Sequence, residues 1–340
     1  MSLKKSILFV LVSFVTVTVL AEDSFARKRS KTLKIATLAP EGSAWWQILK
    51  DADKRIRELT NGSVKIRLYP GGGAGDEPDV VRKMRVGQLH GGALTSVGLA
   101  EIQPELMVLQ APGVIQTWAE LDAARTKMSD KLKALLREKG YEVLVWGDVG
   151  FNRLFSKTRV DTIEDVKKTK PWCWTQDGLT RQFYKELDVN PVMTSMPEVL
   201  PGLQTGLMNA YSVAPLVSLS LQWFTRSEYM YDLPLAVTIG AVVITKKKFD
   251  TLTDAEKAAI EQAGREITPK MEEMVRGGDE DAIAALKKAG VKVVVPTDRQ
   301  KKQWQKAALA SAQASAGEVY SDALLQDLKT AVSEYRANGN

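Results

Sequence analysis

The fold class of this protein is decided by a stretch near its N-terminal end, LKIATLAPEGSAWWQILKDADKRIRELTNGSVKIRLY (residues 33–69). The apolar pattern from Leu33 to Thr37 predicts a strand. Trp45 to Leu59 carry apolar residues at helical spacing and end at Thr60-Asn61-Gly62, a helix stop signal. Ser63 to Tyr69 then alternate polar and apolar residues as a second strand does. The stretch therefore predicts a strand–helix–strand unit.

The same alternation continues along the rest of the chain. Further strands are predicted at 92–95, 142–146, 171–175, 190–193, 209–213, 241–245 and 291–295. Further helices are predicted at 77–86, 118–139, 179–187, 198–205, 216–224, 253–289 and 297–338. Pro269 and Gly277-Gly278 are expected to bend or interrupt the helix of residues 253–289. Strands that alternate with helices are typical of an α/β architecture with covered sheets.

The first residues have the pattern of a secretory signal peptide. Lys4 and Lys5 precede an apolar run from Ser6 to Leu20, which is shorter than a membrane span needs. Small residues at the spacing of a cleavage site follow, either Val19 with Ala21 or Ser24 with Ala26, and the boundary is placed after Ala26. We therefore predict a signal peptide at residues 1–26 and a soluble periplasmic protein. An uncleaved N-terminal anchor is the alternative.

Length and composition favour a globular protein of two lobes. The roughly 315 residues left after cleavage of the 340-residue chain exceed what one hydrophobic core usually holds. The net charge is +6, and the basic residues are interspersed with Glu and Asp on helical segments. Because aromatic residues are not interleaved with them, we expect solvated helix faces and no nucleic-acid partner.

Catalytic, metal and cofactor sites find little support in the sequence. Cys173 and His90 are the single residues of their kinds, which argues against a disulfide or a Cys/His zinc site. The Gly-rich run at 71–75 precedes Asp76 and Glu77, which would repel a phosphate, so we interpret it as a surface turn. No base–nucleophile pair is apparent. We expect neither an enzyme nor a bound cofactor.

The most unusual cluster is Pro171-Trp172-Cys173-Trp174. On a strand, Trp172 and Trp174 point to one face and Cys173 to the other. Two neighbouring indoles form either a slab of core or the wall of an apolar pocket, and the residue pattern leaves both interpretations open.

Five segments carry a resemblance to a known family. They are Thr60–Ile66, Val86–Leu89, Trp146–Phe151, Thr162–Lys167 and, most distinctive, Glu198–Gly206 (EVLPGLQTG). On these segments, in this order, the chain resembles the DctP-like solute-binding subunits of tripartite ATP-independent periplasmic (TRAP) transporters.

The resemblance implies a two-lobed periplasmic binding protein fold with a central cleft, hinge strands and a long hinge helix. It implies a first lobe of residues 31–150 with about 236–270, and a second of 151–235 with about 271–300. Residues 301–340 are expected to form a C-terminal helix that packs on the lobes. The implied partners are a small-molecule ligand and two membrane subunits, a small DctQ-like one and a large DctM-like one.

The family's usual ligand is an organic acid held by an Arg, and this chain departs from that pattern. Trp172 stands at the position of the Arg, Asn152 at that of a second Arg, and Val213 at that of an Asn. Arg153 is shifted by one position from the second Arg and is expected to face the other way. A carboxylate buried without a cation would cost several kcal/mol, so we expect a partly hydrophobic ligand.

The residues expected to contact the ligand come from both lobes. Trp172 and Trp174 would be apolar walls, and Tyr211 a wall with a hydrogen-bonding tip. The remaining expected contacts are Asn152, Gln176, Val213, Trp45 and Trp46.

Three alternatives stay open. The chain could bind an organic acid through Arg153 or Arg181, could be a periplasmic hydrolase or isomerase on a similar fold, or could be a ligand sensor or interaction protein.

Overall fold

A computed structural model describes residues 30–339, so the predicted signal peptide at 1–26 lies outside the described residues. The strands in this part of the chain are β1 Lys31–Thr37, β2 Val64–Tyr69, β3 Gly91–Thr95, β4 Tyr141–Phe151, β5 Arg153–Ser156, β6 Trp172–Trp174, β7 Val192–Thr194, β8 Ala210–Val213, β9 Tyr229–Tyr231, β10 Val237–Thr245 and β11 Lys292–Val294.

The α-helices are α1 Ala44–Leu59, α2 Glu77–Arg85, α3 Ser96–Ala100, α4 Trp118–Glu138, α5 Ile163–Val166, α6 Gly178–Glu186, α7 Val199–Thr205, α8 Pro215–Ser220, α9 Lys246–Phe249, α10 Asp254–Lys288, α11 Asp298–Ala314 and α12 Asp322–Ala337. Short 3₁₀ helices form at Pro104–Gln110, Met196–Glu198 and Trp223–Arg226. The helix predicted at 216–224 splits in two because Gln222 adopts a left-handed backbone conformation (φ 58°).

A five-stranded sheet with the order β2-β1-β3-β10-β4 forms the centre of the first lobe. β1 runs parallel to β2 and β3, while β10 is antiparallel to β3 and β4. Leu33 and Ile35 of β1 are buried and pack with Ile56 of α1 and Ile260 of α10. The opening strand–helix–strand unit of the sequence is therefore one edge of this lobe.

The second lobe is built on a four-stranded sheet, β11-β9-β5-β8, and a two-stranded parallel sheet, β6-β7. A bridge between Pro171 and Ala210 places β6 beside β8. The two lobes of mixed helix and strand confirm the fold predicted from the sequence.

Two extended segments cross between the lobes side by side. The first runs from β4 into β5 with the single residue Asn152 between them, and the second runs from β9 into β10. The backbone N–H of Asn152 donates to the carbonyl of Ala236 at 2.9 Å, which joins the two crossings. Gly150 precedes the first crossing with φ 141°, and a Cβ there would lie 2.5 Å from the Cβ of Ala214. A glycine is therefore required where the chain enters the second lobe.

The third connection is α10, a helix of 35 residues that packs on α1 and β4 in the first lobe and on α8 in the second. A capping box of Thr253 and Glu256 starts it. The expected interruption at Pro269 or Gly277-Gly278 does not occur. Tertiary packing along both lobes outweighs the local cost of these residues.

The C-terminal region forms two helices, so the prediction of one C-terminal helix was wrong. Gly317 turns the chain with φ 84°, and Ser321 caps a new helix. The Ser321 backbone N–H and hydroxyl both donate to Glu105 of the first lobe, at 3.0 and 3.1 Å. α11 packs on α6 in the second lobe and α12 on α4 in the first. The sequence shows helical periodicity on both sides of this turn but does not show that the helices serve different lobes.

Within residues 30–339, no helix is both long and apolar enough to cross a membrane. Where the first lobe ends and the second begins along α10 stays a prediction.

A buried ion cluster ties α10 to the first lobe. The Asp148 carboxylate on β4 is fully buried and accepts hydrogen bonds from Arg125 of α4 and from Arg276 of α10, the latter at 3.0 Å. Arg276 also donates two bonds of 2.7 Å to Asp122 and lies over the ring of Trp118. These carboxylates hold the pKa of Arg276 well above its usual range. Asp148 is thus the shared counter-ion of two guanidinium groups.

We expect Asp148→Ala to lower the free energy of unfolding by about 3–5 kcal/mol, because it leaves the largely buried guanidinium of Arg125 without a carboxylate and removes one of the carboxylates of Arg276. Urea denaturation followed by circular dichroism measures this change. Asp122→Ala is the matched control, since Asp122 is half-exposed and its loss should cost about 1 kcal/mol or less. Equal losses in the two variants would contradict the shared counter-ion role.

A second charged cluster lies beneath the crossings. Asp279 of α10 is buried, and its Oδ1 has no hydrogen-bond partner among the described residues. Arg153, after the first crossing, donates to Asp232 at 2.8 Å. Burial raises the pKa of the Asp279 carboxyl to about 6, which Arg153 opposes and Asp232 increases.

Because the folded-state pKa of Asp279 is above that of an unfolded chain, the stability it contributes is present at low pH and is lost as the pH rises through about 6. We expect Asp279→Asn to gain stability relative to the parent protein between pH 4 and 7, by up to about 3 kcal/mol. Urea denaturation at each pH measures this difference. If the stability difference between Asp279→Asn and the parent protein stays constant from pH 4 to 7, the raised pKa of Asp279 is contradicted.

Candidate functional site

The carboxyl ends of strands from both lobes meet at one cavity, as is usual for ligand sites in α/β proteins. β3 ends at Thr95 in the first lobe, and β6 and β8 end at Trp174 and Val213 in the second. The cavity between them, called the central cavity below, has a volume of about 60 Å³. Its walls are formed by Thr95, Ser96, Val97, Gln110, Val149, Asn152, Trp172, Cys173, Trp174, Asp177, Thr180, Met196, Ser212, Val213, Ala214, Val217 and Thr238.

Trp172 and Trp174 form an aromatic wall of the central cavity. Their ring centroids are 6.0 Å apart, and Trp223 packs edge-on against Trp172 from behind. Each indole N–H is used by the protein: Trp172 donates to the Thr194 carbonyl at 3.2 Å and Trp174 to Asp76 at 2.8 Å. With both N–H groups satisfied, the rings present apolar surface to the cavity. The pair is core on one side and pocket wall on the other, so the two interpretations left open by the sequence both apply.

Two carboxamides supply uncharged hydrogen-bond donors. The Asn152 oxygen accepts from the hydroxyl of Thr238 at 3.0 Å, and the Gln110 oxygen accepts from Ser96. Since both oxygens are engaged, the NH₂ groups are the ends available to a ligand. Asn152 was expected here from the sequence, whereas Gln110 was not. The arrangement favours a ligand group that accepts hydrogen bonds, such as a carbonyl or carboxyl oxygen.

The central cavity has no cation among its walls within residues 30–339. Val213 is part of the wall, as expected. Arg153 faces the other way, as the sequence predicted, and pairs with Asp232. Arg181 lies exposed on α6. The one acidic wall residue, Asp177, caps α6 by accepting from Thr180 at 2.9 and 2.6 Å, and its burial raises the pKa of its carboxyl.

Four of the expected ligand contacts do not line the central cavity: Tyr211, Gln176, Trp45 and Trp46. Tyr211 is fully buried, stacks on Phe155, and shares its hydroxyl with Ser218 and Ser227 at 2.8 and 3.1 Å. It is therefore part of the hydrophobic core. Gln176 does not line the cavity, and its Oε1 is buried without a partner among the described residues.

The two tryptophans of α1 separate, since neighbouring residues of a helix point about 100° apart. Trp46 lies in a surface groove with Lys50, whose ammonium is 5.6 Å from the ring. Trp45 lines an apolar cavity of about 140 Å³ between the lobes, and its indole N–H approaches the Asp148 carbonyl at 3.4 Å. That apolar cavity adjoins the central cavity, because Thr95, Val149, Met196 and Val217 line both. Of the two, only Trp45 belongs to the interlobe site.

The acidic residues after the glycine run take part in the site in a way that the sequence did not reveal. Asp76 caps α2 by accepting from the Glu77 N–H at 2.8 Å. Its other oxygen accepts from Trp174 Nε1 at 2.8 Å and from the backbone N–H of Met196 at 3.3 Å, both in the second lobe. The run at 71–75 is a turn, as predicted. Asp76, directly after it, forms hydrogen bonds that join the two lobes. The N-cap pattern was readable from the sequence, whereas its partners from the other lobe were not.

Glu77 lines the apolar cavity and is fully buried. Its carboxyl accepts from the Thr95 backbone N–H and hydroxyl and from the Gly98 N–H, at 2.7–2.8 Å. Burial raises the pKa of this carboxyl to about 7 in spite of these bonds. His90 is remote from the site, because it precedes β3 at the end opposite Thr95 and accepts from the Lys34 N–H.

Comparisons with known proteins agree with this geometry. A model of the bacterial extracellular solute-binding proteins, family 7 (DctP), matches residues 35–318. The 2,3-diketo-L-gulonate-binding periplasmic protein YiaO of Escherichia coli K12 is 26% identical over 247 residues, 72% of this chain and 75% of that protein.

Two solved structures are similar over nearly the whole described chain. The sugar-acid-binding protein DctPAm of Advenella mimigardefordensis, in complex with galactonate, has a TM-score of 0.85 at 17% identity and covers 90% of this chain and 99% of its own. A TRAP periplasmic solute-binding protein of Ralstonia eutropha H16, with bound (S)-2-acetolactate, has a TM-score of 0.83 at 20% identity and covers 89% and 99%.

The fold and the interlobe site define a two-lobed ligand receptor. This chain belongs to family 7 of the bacterial extracellular solute-binding proteins and is therefore a solute-binding protein rather than an enzyme.

We expect Asp76→Ala to weaken the closed arrangement of the lobes, because the N–H groups of Trp174 and Met196 lose their acceptor. Hydrogen–deuterium exchange at the Met196 amide should accelerate by tenfold or more. Asp79→Ala is the matched control, since Asp79 lies on the same helix and pairs only with exposed Arg82. If hydrogen–deuterium exchange at the Met196 amide is unchanged in Asp76→Ala, the proposed bridge between the lobes through Asp76 is contradicted.

Proposed function

We propose that this protein is the periplasmic receptor of a TRAP importer for a small, partly hydrophobic organic ligand. It is exported by a signal peptide that is cleaved off, captures the ligand by closing the cleft, and delivers it to a small DctQ-like and a large DctM-like membrane subunit. Family membership supports the transport role, and the walls of the central cavity support the ligand class.

The observation that carries the ligand class is the absence of any Lys or Arg among the described walls of the central cavity. Trp172 stands where the family resemblance places the carboxylate-binding Arg, and Asp177 contributes an acidic group. An anion that lost its hydration here would have no full positive charge to compensate it, at a cost of several kcal/mol. A ligand with an apolar body and an uncharged polar group avoids this cost.

The remaining walls fit such a ligand. The rings of Trp172 and Trp174 offer flat apolar surface, and the NH₂ groups of Asn152 and Gln110 offer two uncharged donors. A ligand oxygen placed between the two carboxamides would accept from both, while the apolar body would contact the indoles.

A second candidate is an organic acid held by the same uncharged donors, and the named relatives give it a specific basis, since their ligands are a diketogulonate and a galactonate. Arg153 and Arg181 offer such an acid little help, because the first is paired with Asp232 and the second is exposed on α6. Calorimetric titration with succinate, malate, phenylacetate and phenylacetamide separates the two candidates. Saturable micromolar binding of succinate would contradict the partly hydrophobic class.

We expect Trp172→Ala to weaken binding of phenylacetamide or phenylacetate, whichever binds the parent protein more tightly, by tenfold or more. The reason is the lost apolar contact with the aromatic wall. Isothermal calorimetry measures the affinities, and a thermal melt shows that the variant is folded.

Trp46→Ala is the matched control for this experiment, because Trp46 lies in a separate surface groove. The Trp46→Ala variant should bind the same probe with the affinity of the parent protein. Unchanged affinity in a folded Trp172→Ala variant would show that the aromatic wall is not part of the binding site.

A further inference from the structure

A further cavity lies beside the central cavity, and most of its walls belong to the second lobe. This chamber, called the lobe II chamber below, has a volume of about 70 Å³. It is lined by Gln110, Pro112, Asn152, Leu154, Val166, Leu179, Thr180, Phe183, Tyr184, Leu187, Ser212, Tyr231, Leu233, Leu235, Ala236 and Trp304. Like the central cavity, it has no Lys or Arg among these walls, and unlike the central cavity it has no acidic residue either.

The lobe II chamber adjoins the central cavity. Gln110, Asn152, Thr180 and Ser212 line both spaces, so they form the boundary between the two. The boundary contains both carboxamides whose NH₂ groups are available to a ligand. A ligand oxygen bound by these donors would therefore lie at the entrance to the chamber.

Several apolar side chains that line the chamber are only partly buried by the rest of the protein. Leu154, Phe183, Leu233 and Leu235 pack against a buried cluster that includes Tyr231 and Trp304, yet each is only partly buried. Apolar side chains around an unfilled space lose both hydrophobic stabilisation and dispersion contacts. An apolar ligand segment in the chamber would restore both.

Trp304 of α11 adds a polar feature to this wall. Its ring is 3% exposed and packs near Phe183 and Tyr231, with centroids 6.4 and 5.7 Å away. Its indole N–H is buried without a hydrogen-bond partner among residues 30–339. The Tyr231 hydroxyl donates to the Asp161 carbonyl at 3.3 Å, and its oxygen lies near the indole N–H without forming a hydrogen bond of normal geometry with it. A buried donor without an acceptor destabilises the protein, and an acceptor on a ligand would remove that penalty.

The volume limits what can enter. An apolar protein cavity of about 150 Å³ holds benzene, so a chamber about half that size takes a segment of about three carbons. We propose that the lobe II chamber binds the distal segment of the transported ligand, a chain of about three carbons that ends in a keto or hydroxyl oxygen accepting from Trp304 Nε1. This inference rests on the proposed function, because the proximal oxygen of the same ligand is bound at the boundary by Asn152 and Gln110.

Four probes test the inference: hexanoate, 5-oxohexanoate and the two corresponding primary amides. The acid and amide forms cover both candidates for the proximal group. Isothermal calorimetry on the parent protein should show that the oxo compound binds at least tenfold more tightly than its plain counterpart. Trp304→Phe keeps an aromatic ring against Phe183 and removes the N–H, so this preference should disappear.

Ala236→Leu fills the chamber. Ala236 lines the lobe II chamber and not the central cavity, and Leu adds three carbons to its side chain. We expect the variant to lose affinity for the six-carbon probes by tenfold or more while acetate or acetamide binds as in the parent protein. Ala310→Leu adds the same carbons on the exposed face of α11 and should change nothing.

The outcomes distinguish the two proposals. If none of the probes binds the parent protein, the proposed ligand class fails and the chamber assignment fails with it. If the six-carbon probes bind the parent protein and Ala236→Leu equally, the ligand class stands and the chamber is not its site. If the oxo preference is absent or survives in Trp304→Phe, the Trp304 contact is wrong. A thermal melt of each variant confirms folding, and Leu233→Phe serves as a second filling variant if Ala236→Leu does not fold.

Discussion

The structure depends on the paired crossing of two extended segments between the lobes. Asn152 and Ala236 are joined by a backbone hydrogen bond at the point where each segment leaves one sheet and enters the other. Since successive residues of an extended chain point to opposite sides, this single register decides where each side chain goes. Asn152 turns to the central cavity, and Arg153 turns away to Asp232. A shift by one residue would place a guanidinium in the ligand site and change the class of ligand it favours.

The distribution of charge follows from the same constraint. Cations near the crossings are held by carboxylates outside the cavity, as Arg153 is by Asp232 and Arg276 by Asp122 and Asp148. Asp76, the acidic residue that closes the glycine run, bridges the lobes through Trp174. The charged groups thus set the positions of the lobes and of α10, while the central cavity between them is lined mainly by indoles, aliphatic chains and uncharged amides, with Asp177 as its one acidic wall residue. This separation is the physical basis for the ligand class that we propose.

Much of the fold was predictable because local patterns and tertiary packing agree. The strand and helix of residues 33–59 have one apolar face each, and those faces meet in the core of the first lobe. The site was predictable only in part. Four of the expected contacts do lie at the central cavity, namely Trp172, Trp174, Asn152 and Val213. Strand alternation and the family resemblance were sufficient to locate them. Tyr211 does not line the central cavity, and its contacts with Phe155 and Trp223 join residues that no local pattern in β8 brings together.

The sequence by itself determined the alternation of strands and helices, the capping of α2 and α10, the shared face of Trp172 and Trp174, and membership in the solute-receptor family. These features rest on periodicity, capping chemistry and motifs, all of which act over a few residues. Only the tertiary structure decided that Gln110 and Asn152 meet at one boundary, that Asp76 reaches Trp174, and that Trp304 of α11 lines a chamber next to the site. These residues are far apart along the chain. Their contacts exist because two sheets and α10 fix the lobes against each other, and no local pattern encodes such a long-range arrangement.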